Sequence, residues 1–483
     1  MDLRTIKNTL LYILAVEVVS FSVFYIPGAE NLAFLIAAIA FLIIALYRLR
    51  WALMIAIGEV FIGGFGYLLF YEFGGIKISI RILFFIVLLA LWLVYLFKER
   101  GRTEFLKSRF KIPYLIFFAC LAIGLITAII NKNGFSNIFF DFNAWIFFFY
   151  LLILYDFLKK ENIWIEIWNI GIACFAWLGL KTMFVLYIFS HGIEGFLWPL
   201  YFWIRDTRIG EITLMASNIY RVFLQSQIYS LIGLGIFATF LLIGWSRLKR
   251  LEKKLLFLML ILGTATVLIS LSRSFWAGAL AVLPLLIVFV IIDRVSFAKF
   301  AYRSLIGFLA AVFALGLIFI VVNFPIPEPT GGSLGSLISE RSNISDEAAA
   351  SSRWNLLPAL WQGIESQPVL GSGFGATITY KTMDPRILEE NPTGMYTTYA
   401  FEWGLLDIWY KIGIIGMFSY FAVLLSLAYA GIKTHLTKRR PIMPLALVAG
   451  LIILFVANFF TPYLNHPLGI MYIILTTVYL DKK

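Results

Sequence analysis

TATVLISLSRSFWAGALAVLPLLIV, Thr264 to Val288, is two apolar runs joined at one polar turn, Ser272-Arg273-Ser274. A surface hairpin of a soluble protein would keep one polar face on each arm; here apolar residues occupy every face, as in a membrane. Working outward, apolar stretches of roughly 17–25 residues, enough to cross a hydrocarbon core, recur along the whole chain. Backbone groups in lipid must pair internally, so each is expected to be a helix; the runs are too long and uniform for barrel strands. The composition agrees. Of 483 residues, 61% are hydrophobic and 14% charged, and the mean hydropathy is +0.91, too few charges to cover a soluble protein of this size. The fold class expected is an all-α integral membrane protein.

Segmentation by hydropathy gives about fourteen transmembrane helices. The net charge of +12 then falls at every second connection: Arg48 and Arg50, Lys98 to Lys111, Lys159 and Lys160, Arg247 to Lys254, Arg294 to Arg303, Lys433 to Arg440, and Lys482 with Lys483. The positive-inside rule makes these connections and both termini cytoplasmic in a cytoplasmic (inner) membrane. Topology accounts for the charge, so no nucleic-acid partner is needed. No cleavable signal peptide is read around the first span, Leu10 to Tyr25. The two cysteines, Cys120 and Cys174, lie in apolar segments and read as small core residues.

The other connections face outward, and two are long. One is HGIEGFLWPLYFWIRDTRIGEITLMASN, His191 to Asn218. The other, Pro325 to Glu402, is large enough for a small lobe with short helices. The chain therefore divides into N-terminal helices (1–190), central helices with the SRS turn (191–324), a large extracytoplasmic loop (325–402) and C-terminal helices (403–483). No internal repeat is evident. In the large loop, PEPTGGSLGS (Pro327 to Ser336) is expected to be flexible. Ser345-Asp346-Glu347 reads as a helix start, and Trp354, Leu357, Trp361 and Ile364 as the core-facing side of the helix that follows. Gly371 to Gly375, GSGFG, reads as a tight turn, since it lacks the preceding strand and the lysine of a phosphate loop.

Ionisable groups near the membrane are costly and are the functional candidates. The outward cations are Arg205, Arg208, Arg221, Arg273 and Arg353, with Lys181 in the outer half of its span. Guanidinium binds phosphate oxygens bidentately at any relevant pH, so a cluster of these at the outer boundary suits a lipid-linked diphosphate. Arg221, Arg273 and Arg353 are expected to converge on an outward-opening cavity; the alternative is snorkelling or helix-end pairing. Among carboxylates, Glu17, Glu59 and Asp141 sit in or at apolar spans and can be paired there. Glu402 and Asp407 lie where the large loop meets the membrane, beside Lys411, and either can be a general base or an ion-pair partner. The three histidines, His191, His435 and His466, are scattered. No D-x-D occurs, so no metal and no cofactor is expected.

The Thr264–Val288 stretch resembles the hallmark of the O-antigen ligase and polymerase superfamily, an apolar helix, a Ser-Arg-Ser/Gly turn and another apolar helix. SSRWNLLPALWQGIESQPVLGSGFGA, Ser351 to Ala376, resembles that family's outer loop with its Pro-x-Leu-Gly-x-Gly-x-Gly turn. KIGIIG, Lys411 to Gly416, resembles its Gly-hydrophobic-hydrophobic-Gly close. The resemblance spans Arg205 to Gly416. It implies a GT-C-like glycosyltransferase that takes a polyprenyl-diphosphate-linked oligosaccharide as donor and works without metal by inverting transfer. Its partners would be a glycan or lipid acceptor, membrane lipids and proteins of polysaccharide assembly. By position, Arg208, Arg221, Arg273 and Arg353 would hold the diphosphate. Glu402 and Trp403 stand where the family has His-Asn, so Glu402 would be the base, with Asp407 as the second candidate. This departure tilts the reading from ligase, the alternative, towards polymerase. A lipid-linked oligosaccharide flippase is the competing class.

Overall fold

The computed structural model describes residues 2–158, 163–215, 218–330, 348–437 and 440–481. The expected helix start at Ser345 and residues 331–336 of the Gly-Ser stretch lie outside the described residues. Helices run in the order α1 Leu3–Phe24, α2 Ala29–Tyr47, α3 Leu49–Ile62, α4 Ile80–Lys98, α5 Lys111–Ile130, α6 Phe135–Ile146, α7 Phe149–Leu158, α8 Trp164–Ser190 and α9 Glu194–Asp206. They continue as α10 Gln227–Thr239, α11 Arg250–Ile269, α12 Arg273–Ile292, α13 Phe297–Val322, α14 Ala348–Ser366, α15 Pro385–Glu390, α16 Gly404–His435, α17 Met443–Ala457 and α18 Pro467–Asp481. Among the described residues ten helical segments are long and apolar enough to cross a membrane. The chain is a multi-pass, all-helical membrane protein.

Three two-stranded antiparallel hairpins decorate the connections. They are β1 Phe70–Phe73 with β2 Ile76–Ser79, β3 Gly210–Leu214 with β4 Tyr220–Leu224, and β5 Ile378–Lys381 with β6 Met395–Thr398. Gly74 and Gly75, both at positive φ, close the first hairpin, as a two-residue turn with right-handed strand twist requires.

The bundle is built around α8, whose apolar window is 78% buried, whereas α13 is 22% buried and presents apolar side chains outward. Such exposed leucines and phenylalanines would be a liability in water and are at home in lipid. Buried charges within the bundle are paired, as charges in a low dielectric must be. Lys181 meets Glu17 at 2.7 Å, and Arg81 holds Glu59 through two bonds of 2.8 and 3.0 Å. Lys181 is therefore a bundle-internal partner of Glu17 rather than one of the outward cations. Both cysteines are free and buried.

Contacts between connections sort them into two ends. At one end Arg50 pairs with Glu166, Thr103 bonds Asp156 at 3.1 Å, Arg109 bonds the Leu480 carbonyl, and Arg440 approaches Asp293 at 3.4 Å. At the other end Asn133, after α5, bonds the Ser372 and Phe374 carbonyls of the large loop, and Asn218, after α9, bonds the Thr330 carbonyl. The first set gathers connections that the charge pattern assigned to one side, now joined by geometry.

Candidate functional site

The site begins at a break in a helix. Gly413 in α16 has φ 68° and ψ 177°, a region essentially closed to other residues. A Cβ there would lie 2.0 Å from the Val369 carbonyl oxygen. The break strands backbone groups that an intact helix would pair, and the loop after α14 takes them up. Ser372 N donates to the Tyr410 carbonyl at 2.7 Å, Gly373 N to the Lys411 carbonyl at 3.1 Å, and Ile414 N to the Pro368 carbonyl at 2.9 Å. The GSGFG run is thus a plug that completes a broken helix. It is clamped from its other side: Asn133 Nδ2 donates to the carbonyls of Ser372 and Phe374, and Gly375 N donates to Asp141 at 2.8 Å.

Next to this break lies a buried charge cluster. Lys411 Nζ is 2.5 Å from Asp141 Oδ1 and 2.6 Å from Asp407 Oδ1. Asn465 Nδ2 donates to Asp407 Oδ2 at 2.6 Å. Asp407 thus has one oxygen on a lysine and the other on an amide, and is 1% exposed. Its i,i+4 spacing from Lys411 sets this up within one helix.

Glu402 is different. It lies just before α16, on no helix with Asp407, and it is exposed. Its carboxylate pairs with the Arg353 guanidinium, which α14 supplies from the first part of the helix. The core-facing stripe of α14 is Leu356, Leu360 and Ile364. This corrects the expected one: only Ile364 is shared, and Trp354 and Trp361 are exposed.

Arg221 is tied to the segment just before the SRS turn that carries Arg273. The β3–β4 hairpin carries Arg221, whose Nε donates to the Ser270 carbonyl at 2.9 Å. Arg273 opens α12, where the positive end of the helix dipole also favours an anion. The Arg353 backbone is linked to this turn through a bridge that sequence reasoning missed, the 458–466 connection between α17 and α18. Thr461 bonds Ser274 at 3.1 Å, and Phe460 packs on Trp403 at 5.7 Å between ring centroids. Trp403 Nε1 donates to the Arg353 carbonyl at 2.9 Å. A run of Asn, Thr, Pro and His between two apolar helices was the signal available for it.

Arg208 lies over the Tyr67 ring at 5.2 Å. It also acts on Tyr399 in the large loop, whose hydroxyl is raised chiefly by burial and then by Asp141, against the opposing pull of Lys411 and Arg208. His466, which packs edge-on to Phe65, is pushed down to about 3 by burial and by Arg81 and stays neutral. Arg205 pairs with its neighbour Asp206. None of the four candidate arginines lines the apolar cavity of ≈ 130 Å³ between Phe61, Trp168, Tyr229 and Tyr472. No cluster of metal-ligating side chains occurs among the described residues.

Residues 256–421 match the family model for O-antigen ligase. Comparison with curated proteins finds no match. The matched segment contains the SRS turn, Arg353, Glu402 and the plugged helix break, while Arg208, Arg221 and Asp141 precede it. The match supports a membrane enzyme of the O-antigen ligase type and gives the flippase alternative no support. The likeness to the O-antigen ligase and polymerase superfamily lies in residues 256–421.

Proposed function

We propose that this protein polymerises lipid-linked oligosaccharide units at the outer face of the cytoplasmic membrane, by inverting transfer from a polyprenyl diphosphate. The observation that carries the reading is the Arg353–Glu402 pair, joined through Trp403, Phe460 and Thr461 to the SRS turn, which carries Arg273 and next to which Arg221 bonds Ser270. In this reading both termini are cytoplasmic and the large loop is outside. The shorter or more charged helices α3, α11, α17 and α18 also cross, which gives about fourteen passages.

The donor's diphosphate competes for the Arg353 guanidinium, a bidentate phosphate ligand, and so releases a Glu402 oxygen. Glu402 then takes the proton of the acceptor hydroxyl as that oxygen attacks the anomeric carbon. The bond from that carbon to the diphosphate oxygen breaks, and polyprenyl diphosphate leaves with the electron pair. Arg221 and Arg273, with Arg208 nearby, balance the charge that gathers on it. The carboxylate at 402, where the family's ligases place histidine, favours polymerase over ligase.

Purified protein supplied with a polyprenyl-diphosphate oligosaccharide should yield a ladder of lengthening products. A single transfer to a lipid core makes it a ligase. Absence of product with either acceptor overturns the reading.

A further inference from the structure

We propose that Trp354, Trp403 and Phe460 form an aromatic subsite that seats a sugar ring of the acceptor beside Glu402. The inference rests on the glycosyltransferase reading and deepens it, because it makes the acceptor at this subsite a glycan rather than a lipid. Trp354 follows Arg353 on α14 and is 55% exposed, although the core of the outer lobe already closes over Leu356, Leu360 and Ile364 without it. Its ring lies 5.4 Å from that of Trp403, inclined by 67°. Trp403 is in turn 5.7 Å from Phe460, inclined by 52°. The bond from Trp403 Nε1 to the Arg353 carbonyl fixes the central ring, so the platform is rigid before anything binds.

The chemistry of the surroundings selects the occupant. A pyranose has a face of C–H groups that packs on the electron-rich face of an indole, while its rim of hydroxyls needs polar partners. The platform supplies the first. The exposed Glu402 carboxylate directly beside it supplies the second, as an acceptor for a sugar hydroxyl once the donor diphosphate has drawn Arg353 away. An acyl chain would present no hydroxyl to that carboxylate. The platform also leads to the chemistry, because Phe460 precedes Thr461, which touches the SRS turn.

Trp361 on the same helix is the natural comparison. It is 43% exposed, but its Nε1 bonds Glu365 and its ring packs on Trp409, whose Nε1 bonds the Pro368 carbonyl at the helix break. A tryptophan that merely anchors the lobe in the membrane surface would behave like Trp361.

The test uses the full chain in nanodiscs, with lipid-diphosphate oligosaccharide extracted from the producing cells. The acceptor concentration for half-maximal rate is measured for the parent, W354A, W354F and W361A. The subsite predicts a rise of about tenfold or more in W354A with kcat little changed, substantial recovery in W354F, and parental values in W361A. In parallel, saturation-transfer NMR follows the same oligosaccharide released from its lipid diphosphate. Its signal should depend on Trp354 and not on Trp361. If transfer proceeds and W354A matches W361A in both measurements, the subsite is wrong and the glycosyltransferase reading stands. If the parent makes no product yet binds the free oligosaccharide through Trp354, the sugar site stands and the proposed reaction falls. If neither product nor Trp354-dependent binding is seen, both fall.

Discussion

Two carboxylates stand near the start of α16, and their surroundings separate their roles. Asp407 is sealed against Lys411 and Asn465, whereas Glu402 is exposed and holds an arginine that a phosphate can claim. Removing a general base typically slows a reaction by about 10²–10⁴-fold. Glu402→Gln should therefore lose transfer by about that factor while inserting into the membrane normally, measured as product formed per correctly inserted protein; a loss of only a few-fold would acquit Glu402 of the role. Lys411 tests the opposite assignment. Lys411→Met leaves Asp141 and Asp407 facing each other in a buried site with no cation, and breaking a buried pair costs about 3–5 kcal/mol. The expected result is a markedly lower thermal unfolding midpoint in detergent. An unchanged midpoint would mean that the cluster does not hold the fold together.

At the scale of the element, two segments that are separate in sequence are one structural unit. The Pro368–Gly375 loop supplies the hydrogen bonds that the break at Gly413 removes from α16. Gly413→Ala forces a side chain into the Val369 carbonyl and into a backbone region that costs of order 1–3 kcal/mol. We expect loss of folded yield, read by size-exclusion chromatography and by thermal midpoint, with Gly316→Ala in α13 as a milder comparison because a Cβ there meets nothing within 4 Å. KIGIIG and GSGFG were both legible in the sequence as motifs; their mutual contact was not, since a helix break leaves the apolar pattern on either side intact. The face of α14 was misread for a related reason. Trp354, Leu357, Trp361 and Ile364 satisfy helical spacing as well as Leu356, Leu360 and Ile364 do, and the largest apolar side chains are ordinarily the buried ones. At a membrane surface the ordinary preference fails, because an indole can remain exposed with its ring N–H satisfied locally, as Trp361 does through Glu365.

For the molecule as a whole, the bundle was legible because lipid imposes one uniform demand on every span. The charge pattern also grouped connections that the structure brings together at one end, as Arg50 with the Glu166 region and Arg109 with the C-terminal helix show. The site was legible only in part. Its arginines and Glu402 stand out as charges in apolar surroundings, but the 458–466 connection that joins them carries no charge and acts through long-range contact alone. Orientation follows from the same pattern and can be tested directly. Thr397 lies exposed on β6 of the large loop, and the native cysteines, Cys120 and Cys174, are buried, so a thiol placed at Thr397 reports with little background. If the basic connections face the cytoplasm, as the positive-inside rule requires, Thr397→Cys should react in intact cells with a thiol reagent that cannot cross the membrane. A cysteine at Thr103, among the basic connections of the opposite end, should react only after lysis. The reverse pattern would invert the whole molecule, placing the Arg353–Glu402 pair on the cytoplasmic side and removing polymerisation at the outer face. Labelling of both positions in intact cells would mean that the two ends are not separated by a bilayer at all.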